Sequence, residues 1–327
     1  MVARSLVQAL REEGHDAAMV LTPQNRFGRQ GAAYLATWLT DVGLGDHKAV
    51  DQVISLRYPS YAVRHPNHVV WLNHTMREYY DQWEKFKETL SWKGRLKEGT
   101  RRQLIHAADR YLLTRNVRKV YTQSRTISAR LQRWGGIESE PLYPPPPQRA
   151  YRCEGYGEYI FSISRLAPLK RLSLLIEALA HPAAAGIRCV IAGEGEEHQA
   201  LAHAIVTLGL SSRVKLIGRI DDRQMLDHLA KCRAVCFPPH DEDYGFVTVE
   251  AFASRKAVVT CTDSGGPAEL VSDNVNGKVC APQPEALAVA LRALMDDAAG
   301  AERMGQAGLQ QVSEMTWSRA VSRLLTT

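Results

Sequence analysis

The strongest constraint on this chain is a regular alternation in its second half. Short apolar runs at 159–164, 188–192, 214–218, 234–237, 257–262 and 278–281 are separated by stretches of helical character near 171–180, 196–208, 222–231, 247–255 and 285–295. Apolar runs that short, bounded by polar and turn residues, read as strands buried on both faces. Parallel strands need long crossover connections, and the intervening stretches supply them as helices. The pattern predicts an α/β fold with a doubly wound sheet of Rossmann type, which takes its ligand at the carboxyl ends of the strands. A dinucleotide site is not supported. The nearest glycine cluster, Gly193-Glu-Gly195-Glu-Glu-His198, has no third glycine and puts acidic residues where a pyrophosphate would lie.

The first half alternates less regularly. Residues 5–13 read as an amphipathic helix ended by Gly14, and 16–22, 53–57 and 68–73 as strands. Helices are expected at 77–86 and 100–113, then a short strand at 119–122 and a helix through Trp134 that Ser124 can cap. Pro144-Pro-Pro-Pro147 reads as a stiff connector. The expected division is a first Rossmann-like domain over 1–147, a second over 148–312, and a closing helix within 313–327 that crosses back onto the first. At 327 residues, 45% of them hydrophobic, the chain can bury two cores. A unit of this architecture ordinarily opens on a strand and a glycine-rich loop. This one opens on a helix, so either its start is truncated or mis-assigned, or the first domain lacks that element.

Two stretches of the second half carry candidate chemistry. In 239–270, Glu242 and Glu250 are separated by seven residues, with Tyr244-Gly245-Phe246 just after the first. A strand, a tight turn and a helix beginning near Val247 would set Glu242 at a helix N-terminus, whose free amides favour anions. Glu250 would fall in an early turn. Either glutamate alone reads as an ordinary solvated residue; together, around an anion site, they suit a ligand that carries phosphate and several hydroxyls. The second stretch is Arg165-Leu-Ala-Pro-Leu-Lys170, directly after the first strand of this half. Pro168 fits a helix entry, and two fixed cations with helix amides can hold a diphosphate leaving group without a metal. His74, just past the strand at 68–73 and flanked by Asn73 and Arg77, is a further candidate from the first half.

Charge is unevenly placed. The chain carries a net +6, and between Arg77 and Lys119 twelve Lys/Arg face six Asp/Glu, a difference that accounts for the whole excess. The same segment holds Trp83, Phe86 and Trp92. Two readings stay open: a docking face for an anionic membrane or polyanionic acceptor, or a solvated helical face with buried aromatics. No nucleic-acid-binding motif accompanies it. The six cysteines are scattered, and Cys232 and Cys236 lack a second ligand pair, so no metal site is expected. They read as reduced core thiols. With no run long enough to cross a bilayer and no signal peptide, the expected setting is cytoplasmic, on the inner face of a membrane where the basic segment docks.

These motifs resemble the retaining glycosyltransferases of family four, which have the two-domain GT-B fold. The likeness rests on Ser164-Arg-Leu-Ala-Pro-Leu-Lys170, Ile191-Ala-Gly-Glu-Gly195, Glu242-x7-Glu250 with Tyr244-Gly245-Phe246 between, and Asp263-Ser-Gly-Gly266 followed by Glu269. Weaker matches are Trp71-Leu-Asn-His74, Ser124 and the proline linker. The resemblance implies two Rossmann-like domains across a cleft, and a hexose moved with retention from a GDP- or UDP-linked donor to a saccharide or lipid-linked acceptor, as in cell-surface polysaccharide or glycolipid synthesis. It implies no cofactor beyond the nucleotide-sugar. Arg165 and Lys170 would neutralise the diphosphate and Glu242 would orient the sugar. Gly245, Phe246 and Val247 would meet sugar or phosphate through their amides, Glu250 would hold the ribose, and Gly193 and Glu194 would complete the donor set. His74 would approach the sugar from the opposite domain. The Glu242-Asp-Tyr-Gly wording is similar to that of mannosyltransferases, which leans the donor towards GDP-mannose. A glycosidase carboxylate pair is disfavoured, because both glutamates fall on the nucleotide side of one domain. The alternatives are a degenerate donor-binding or scaffold protein and a GT-B nucleotide-sugar epimerase.

Overall fold

The computed structural model describes residues 2–22, 28–42 and 50–325. The chain forms two compact units, Met1–Pro144 with Trp317–Thr327, and Pro145–Thr316. The break therefore falls inside the proline run.

In the first unit, β1 (Val53–Ser55), β2 (His68–Leu72), β3 (Lys119–Thr122) and β4 (Glu140–Pro141) pair in parallel in that order. Every residue of β2 is buried, because a central parallel strand is covered on both faces. Its alternation feeds two cores. Val70 and Leu72 join Ile105, Leu112, Ile127 and Leu131 on one side, while Val69 and Trp71 join Leu6, Leu10, Val321 and Leu324 on the other. These partners come from the helices α1 (Val2–Glu12), α4 (Trp92–Tyr111) with the π turn that continues it, and α5 (Arg125–Gly135), and from the last helix of the chain; α2 (Gln30–Trp38) and α3 (Trp83–Glu88) pack Tyr34, Trp38, Trp83 and Phe86 against the first of the two cores. Trp71 meets Trp317 edge-on at 6.1 Å and donates its indole N–H to the Leu142 carbonyl at 2.7 Å. Ser124 caps α5 by accepting from the Ile127 amide at 3.1 Å.

Three expectations fail here. Residues 16–22 are not a strand. They are irregular, with Met19, Val20 and Leu21 45%, 55% and 80% exposed, because no strand among the described residues lies beside them to complete a ladder. The helix expected at 77–86 is a short 3₁₀ turn, Arg77–Tyr79, followed by α3. The helix expected at 100–113 begins at Trp92, where Ser91 accepts from the Gly94 amide.

In the second unit the sheet is parallel throughout, in the order β10-β9-β8-β5-β6-β7. The strands are β5 (Tyr159–Ile163), β6 (Arg188–Ala192), β7 (Val214–Leu216), β8 (Ala234–Cys236), β9 (Ala257–Cys261) and β10 (Gly277–Cys280). The helices are α6 (Leu172–Ala180), α7 (His198–Thr207), α8 (Asp222–Lys231), α9 (Phe246–Ala253), α10 (Gly266–Leu270), α11 (Pro284–Asp296) and α12 (Ala298–Ser313), and the closing helix of the first unit is α13 (Trp317–Leu324). From β5 the chain winds outward through β6 and β7, then returns to lay β8 on the other side of β5. The strand order reverses between β5 and β8, which makes that gap the switch point where such sheets bind ligands. Helix α12 has no counterpart in the sequence reading, since Gly300, Gly305 and Gly308 look like breakers. Packing explains them: a Cβ on Gly305 would lie 2.0 Å from the Arg255 carbonyl, and one on Gly308 2.4 Å from the Phe252 ring. Cys189, Cys232, Cys236 and Cys261 are buried free thiols, while Cys153 and Cys280 are only half-buried. Among the described residues no helix is long and apolar enough to cross a membrane.

Candidate active site at the switch point of the second unit

The loop leaving β5 is held from below by backbone alone. The Leu166 amide donates to the Glu194 carbonyl at 2.8 Å, and the Glu197 amide to the Leu166 carbonyl at 3.1 Å. A Cβ on Gly193 (φ +138°) would sit 1.8 Å from the Ser164 carbonyl, and one on Gly195 2.2 Å from that of Leu166. Only glycine allows so close an approach. In this structure Gly193 and Glu194 act by positioning the Arg165 loop, and the Glu194 side chain points to solvent.

Lys170, at the far end of that loop, forms an ion pair with Glu242 from the loop after β8 and lies 5.6 Å from the Phe237 ring. Their side chains are 18% and 20% exposed, so the pair is largely shielded from water. Glu242 is itself fixed, its amide donating to the Ser264 carbonyl at 3.0 Å and its carbonyl accepting from the Gly266 amide at 2.9 Å. That contact explains Gly265-Gly266, since a Cβ on Gly266 would lie 2.6 Å from Tyr244 Cα. Gly245 (φ +78°) precedes α9, and its Cβ would strike Pro267 at 2.7 Å. No side chain caps α9, so the amides of Phe246 and Val247 make its N-terminus a place for an anion.

Arg165 is exposed at the mouth of the loop, with no hydrogen bond or ion pair of its side chain among the described residues. Arg171, next in sequence to Lys170, was not singled out by sequence reasoning, yet it ties the site together. At φ 49° and ψ 42° it turns its guanidinium across the switch point. It donates to the Pro238 carbonyl at 2.9 Å, to that of Pro239 at 2.7 Å, and by two N–H groups to Asp263 at 2.8 and 2.7 Å. Burial alone would raise the Asp263 carboxyl; the Arg171 fork and His240, at 3.3 Å, outweigh it and hold that group below its ordinary value. The only hint of Arg171 in the sequence is the basic doublet Lys170-Arg171 at a strand end.

Glu250 does not join Glu242. It is 5% exposed and paired with Arg149, whose guanidinium also donates to Asp222 at 3.0 and 3.2 Å. Burial pushes the Glu250 carboxyl up to about 7, against the opposing charge of Arg149. Arg149 lies 101 residues from Glu250, and nothing local in the sequence marks it. His74 belongs to the first unit, half-buried just beyond β2, with Nδ1 2.9 Å from the Thr75 carbonyl. Arg77 beside it donates twice to Asp81, at 2.9 and 2.6 Å. Among the described residues no cluster of His, Cys, Asp or Glu could hold a metal ion.

This arrangement agrees with what the chain resembles. Residues 152–311 match the family profile Glycosyl transferases group 1. The second unit is a group 1 glycosyltransferase domain. The chain is 33% identical over 139 residues to a glycogen synthase of Mycobacterium tuberculosis, which covers 42% of this chain and 33% of that protein. It is 28% identical over 170 residues to the human alpha-1,3/1,6-mannosyltransferase ALG2, covering 47% and 41%. The chain thus spans between a third and two-fifths of these relatives' lengths. Among solved structures, sucrose-phosphate synthase from Thermosynechococcus elongatus matches 98% of this chain and 90% of its own with a TM-score of 0.77 at 16% identity. Anabaena HepE, solved with UDP and glucose, matches 78% and 69% with a TM-score of 0.62 at 21% identity. At these identities the likeness is one of fold, and the fold is GT-B, with two parallel-sheet α/β domains.

Proposed function

We propose that this group 1 glycosyltransferase chain moves a hexose, with retention and without a metal, from a nucleoside diphosphate sugar to a saccharide or lipid-linked acceptor. The observation that carries the reading is the Lys170–Glu242 pair, contributed by the two loops that flank the switch point and set beside the N-terminus of α9. A cation and helix amides suit a diphosphate; a carboxylate next to them suits sugar hydroxyls. On this reading the phosphates take Lys170, Arg165 and the amides of Phe246 and Val247, while Glu242 turns to the sugar and Glu250 to the ribose. The bond from C1 to the diphosphate oxygen breaks, the acceptor oxygen bonds to C1 on the same face, and its proton passes to the leaving phosphate. His74 of the first unit is read as a further sugar contact. No cofactor is invoked beyond the GDP- or UDP-linked co-substrate, and GDP-mannose is the first donor to try. The UDP and glucose of HepE, and the mannosyl transfer in the name of ALG2, are in keeping with that donor class. The setting implied is polysaccharide or glycolipid synthesis on the cytoplasmic face of a membrane.

Release of GDP or UDP across a panel of nucleotide-sugars tests the assignment. Lys170→Ala is expected to lower kcat by roughly 10²–10³-fold, as loss of a transition-state charge partner does. Glu242→Ala should fall comparably. Full turnover in both variants overturns the site.

A further inference from the structure

The basic segment of the first unit contains a surface that the proposed donor chemistry does not use. On α4, Trp92, Leu96, Leu104 and Tyr111 are 72%, 71%, 67% and 57% exposed. At 3.6 residues per turn these four fall within about a third of the helix circumference. Helix α2 adds Leu35, and Leu39 at its C-cap, at 60% and 64%. Between the two helices runs an open groove of about 650 Å³ whose lining includes Tyr34, Leu35, Trp38, Leu104 and Tyr111, together with Lys97 and Arg101. Apolar side chains gathered this way on a water-soluble face mark a contact surface.

Its charge names the partner. Helix α4 carries Lys93, Arg95, Lys97, Arg101, Arg102 and Arg110 against two acids, and both acids are turned inward. Glu98, 7% exposed, is taken by Arg101 and Tyr79, and Asp109, 1% exposed, by the hydroxyls of Tyr34, Tyr61 and Tyr80. The outward charge of the helix is therefore cationic throughout, and α2 brings no charge. Lys93 lies 5.4 Å over the exposed Trp92 ring. Trp83 and Phe86 of the same segment instead pack against Tyr79, so that Trp92 and Tyr111 are its aromatics that face solvent. We propose that the α2–α4 face of the first unit docks on an anionic phospholipid bilayer, with Trp92, Leu96, Leu104 and Leu35 entering the acyl boundary and Lys93, Lys97 and Arg110 meeting the headgroup phosphates. A second copy of the chain is a poorer occupant, because an isologous contact would set these cations against their own kind with no outward acid on α4 to answer them.

Flotation with vesicles tests this, and it is independent of the donor site. The full chain should bind vesicles of equal parts phosphatidylcholine and phosphatidylglycerol, and not phosphatidylcholine alone. Lys93→Gln with Lys97→Gln should weaken binding about 25-fold at low salt, since each cation near such a surface contributes about a fivefold factor. Leu96→Glu with Leu104→Glu should abolish it, with an unchanged melting temperature showing that the variant is folded. Equal binding to neutral vesicles, or no binding to either, overturns the proposal. So does a dimer in solution that the Leu96→Glu, Leu104→Glu variant dissociates, which would assign the face to a second copy.

Discussion

Replacing Arg149 by Gln offers the sharpest check on the electrostatics of the donor unit. Glu250 is 5% exposed, and its carboxyl rises from an ordinary 4.5 to about 7, burial being the main cause and Arg149 the chief opposing one. A folded-state value above the unfolded one means that the folded protein binds the proton more tightly. The stability this contributes is present below pH 4.5 and is lost as pH climbs through 7. At 1.36 kcal/mol per pH unit the loss is about 3 kcal/mol. Without Arg149 the carboxyl climbs further. At pH 8 the variant then holds an uncompensated buried charge, at a cost of about 3–5 kcal/mol; at pH 5 Glu250 is protonated and only a hydrogen bond is lost, about 1 kcal/mol. Asp222 adds little to either figure, because its side chain is 72% exposed and stays hydrated. For a unit of this size, with roughly 2–4 °C per kcal/mol, Arg149→Gln should lower the melting temperature by about 10 °C at pH 8 and about 3 °C at pH 5. Adding Glu250→Gln should restore most of the loss at pH 8. Melting followed by near-UV circular dichroism at the two pH values reads both effects. Equal losses at pH 5 and pH 8, or no rescue by Glu250→Gln, would refute an ionised pair as the origin.

Three further outcomes are expected. Arg171→Lys keeps the charge but loses the fork that reaches Asp263, Pro238 and Pro239 together, and should cost about 2–3 kcal/mol in urea titration. Gly305→Ala, whose Cβ meets a backbone carbonyl at 2.0 Å, should cost at least about 1–3 kcal/mol; Gly99→Ala in α4, with nothing within 4 Å, should stabilise by about 0.5–1 kcal/mol. Asp109 is buried among tyrosine hydroxyls, and burial raises its carboxyl from 3.8 to about 6, so it too takes stability away as pH rises between those values. Asp109→Asn should flatten the pH dependence of unfolding of the first unit between pH 4 and 6, and an unchanged slope would assign the titration elsewhere.

What was legible in the sequence was what is local. A parallel strand covered on both faces must be a short apolar run, so each strand of the second unit lies within a residue or two of its expected place. The same kind of run at 16–22 misled, because a strand exists only where a neighbour completes its ladder, and periodicity says nothing of neighbours. Helix α12 failed the opposite way. Its glycines weaken it as an isolated helix, and Gly305 and Gly308 are there because α9 and the turn after it approach too closely for a side chain.

The candidate site divides along the same line. In the sequence its acids and cations fall into two like-charged sets, Glu242 with Glu250 and Arg165 with Lys170, because each set is close along the chain. Folding sorts them by charge instead. A carboxylate withdrawn from water needs a cation, so Glu242 takes Lys170 and Glu250 takes Arg149, from 72 and 101 residues away. The consequence reaches the proposed chemistry. A diphosphate that engages Lys170 must compete with Glu242 for it, and the carboxylate so released is the one assigned to the sugar hydroxyls. Lys170 and Glu242 should therefore act as a coupled unit: Lys170→Ala and Glu242→Ala combined should lower kcat by much less than the product of the two single effects, as groups working together do. Strict multiplicativity in that cycle would mean that the two residues meet the substrate independently, and that their pairing has no part in the reaction.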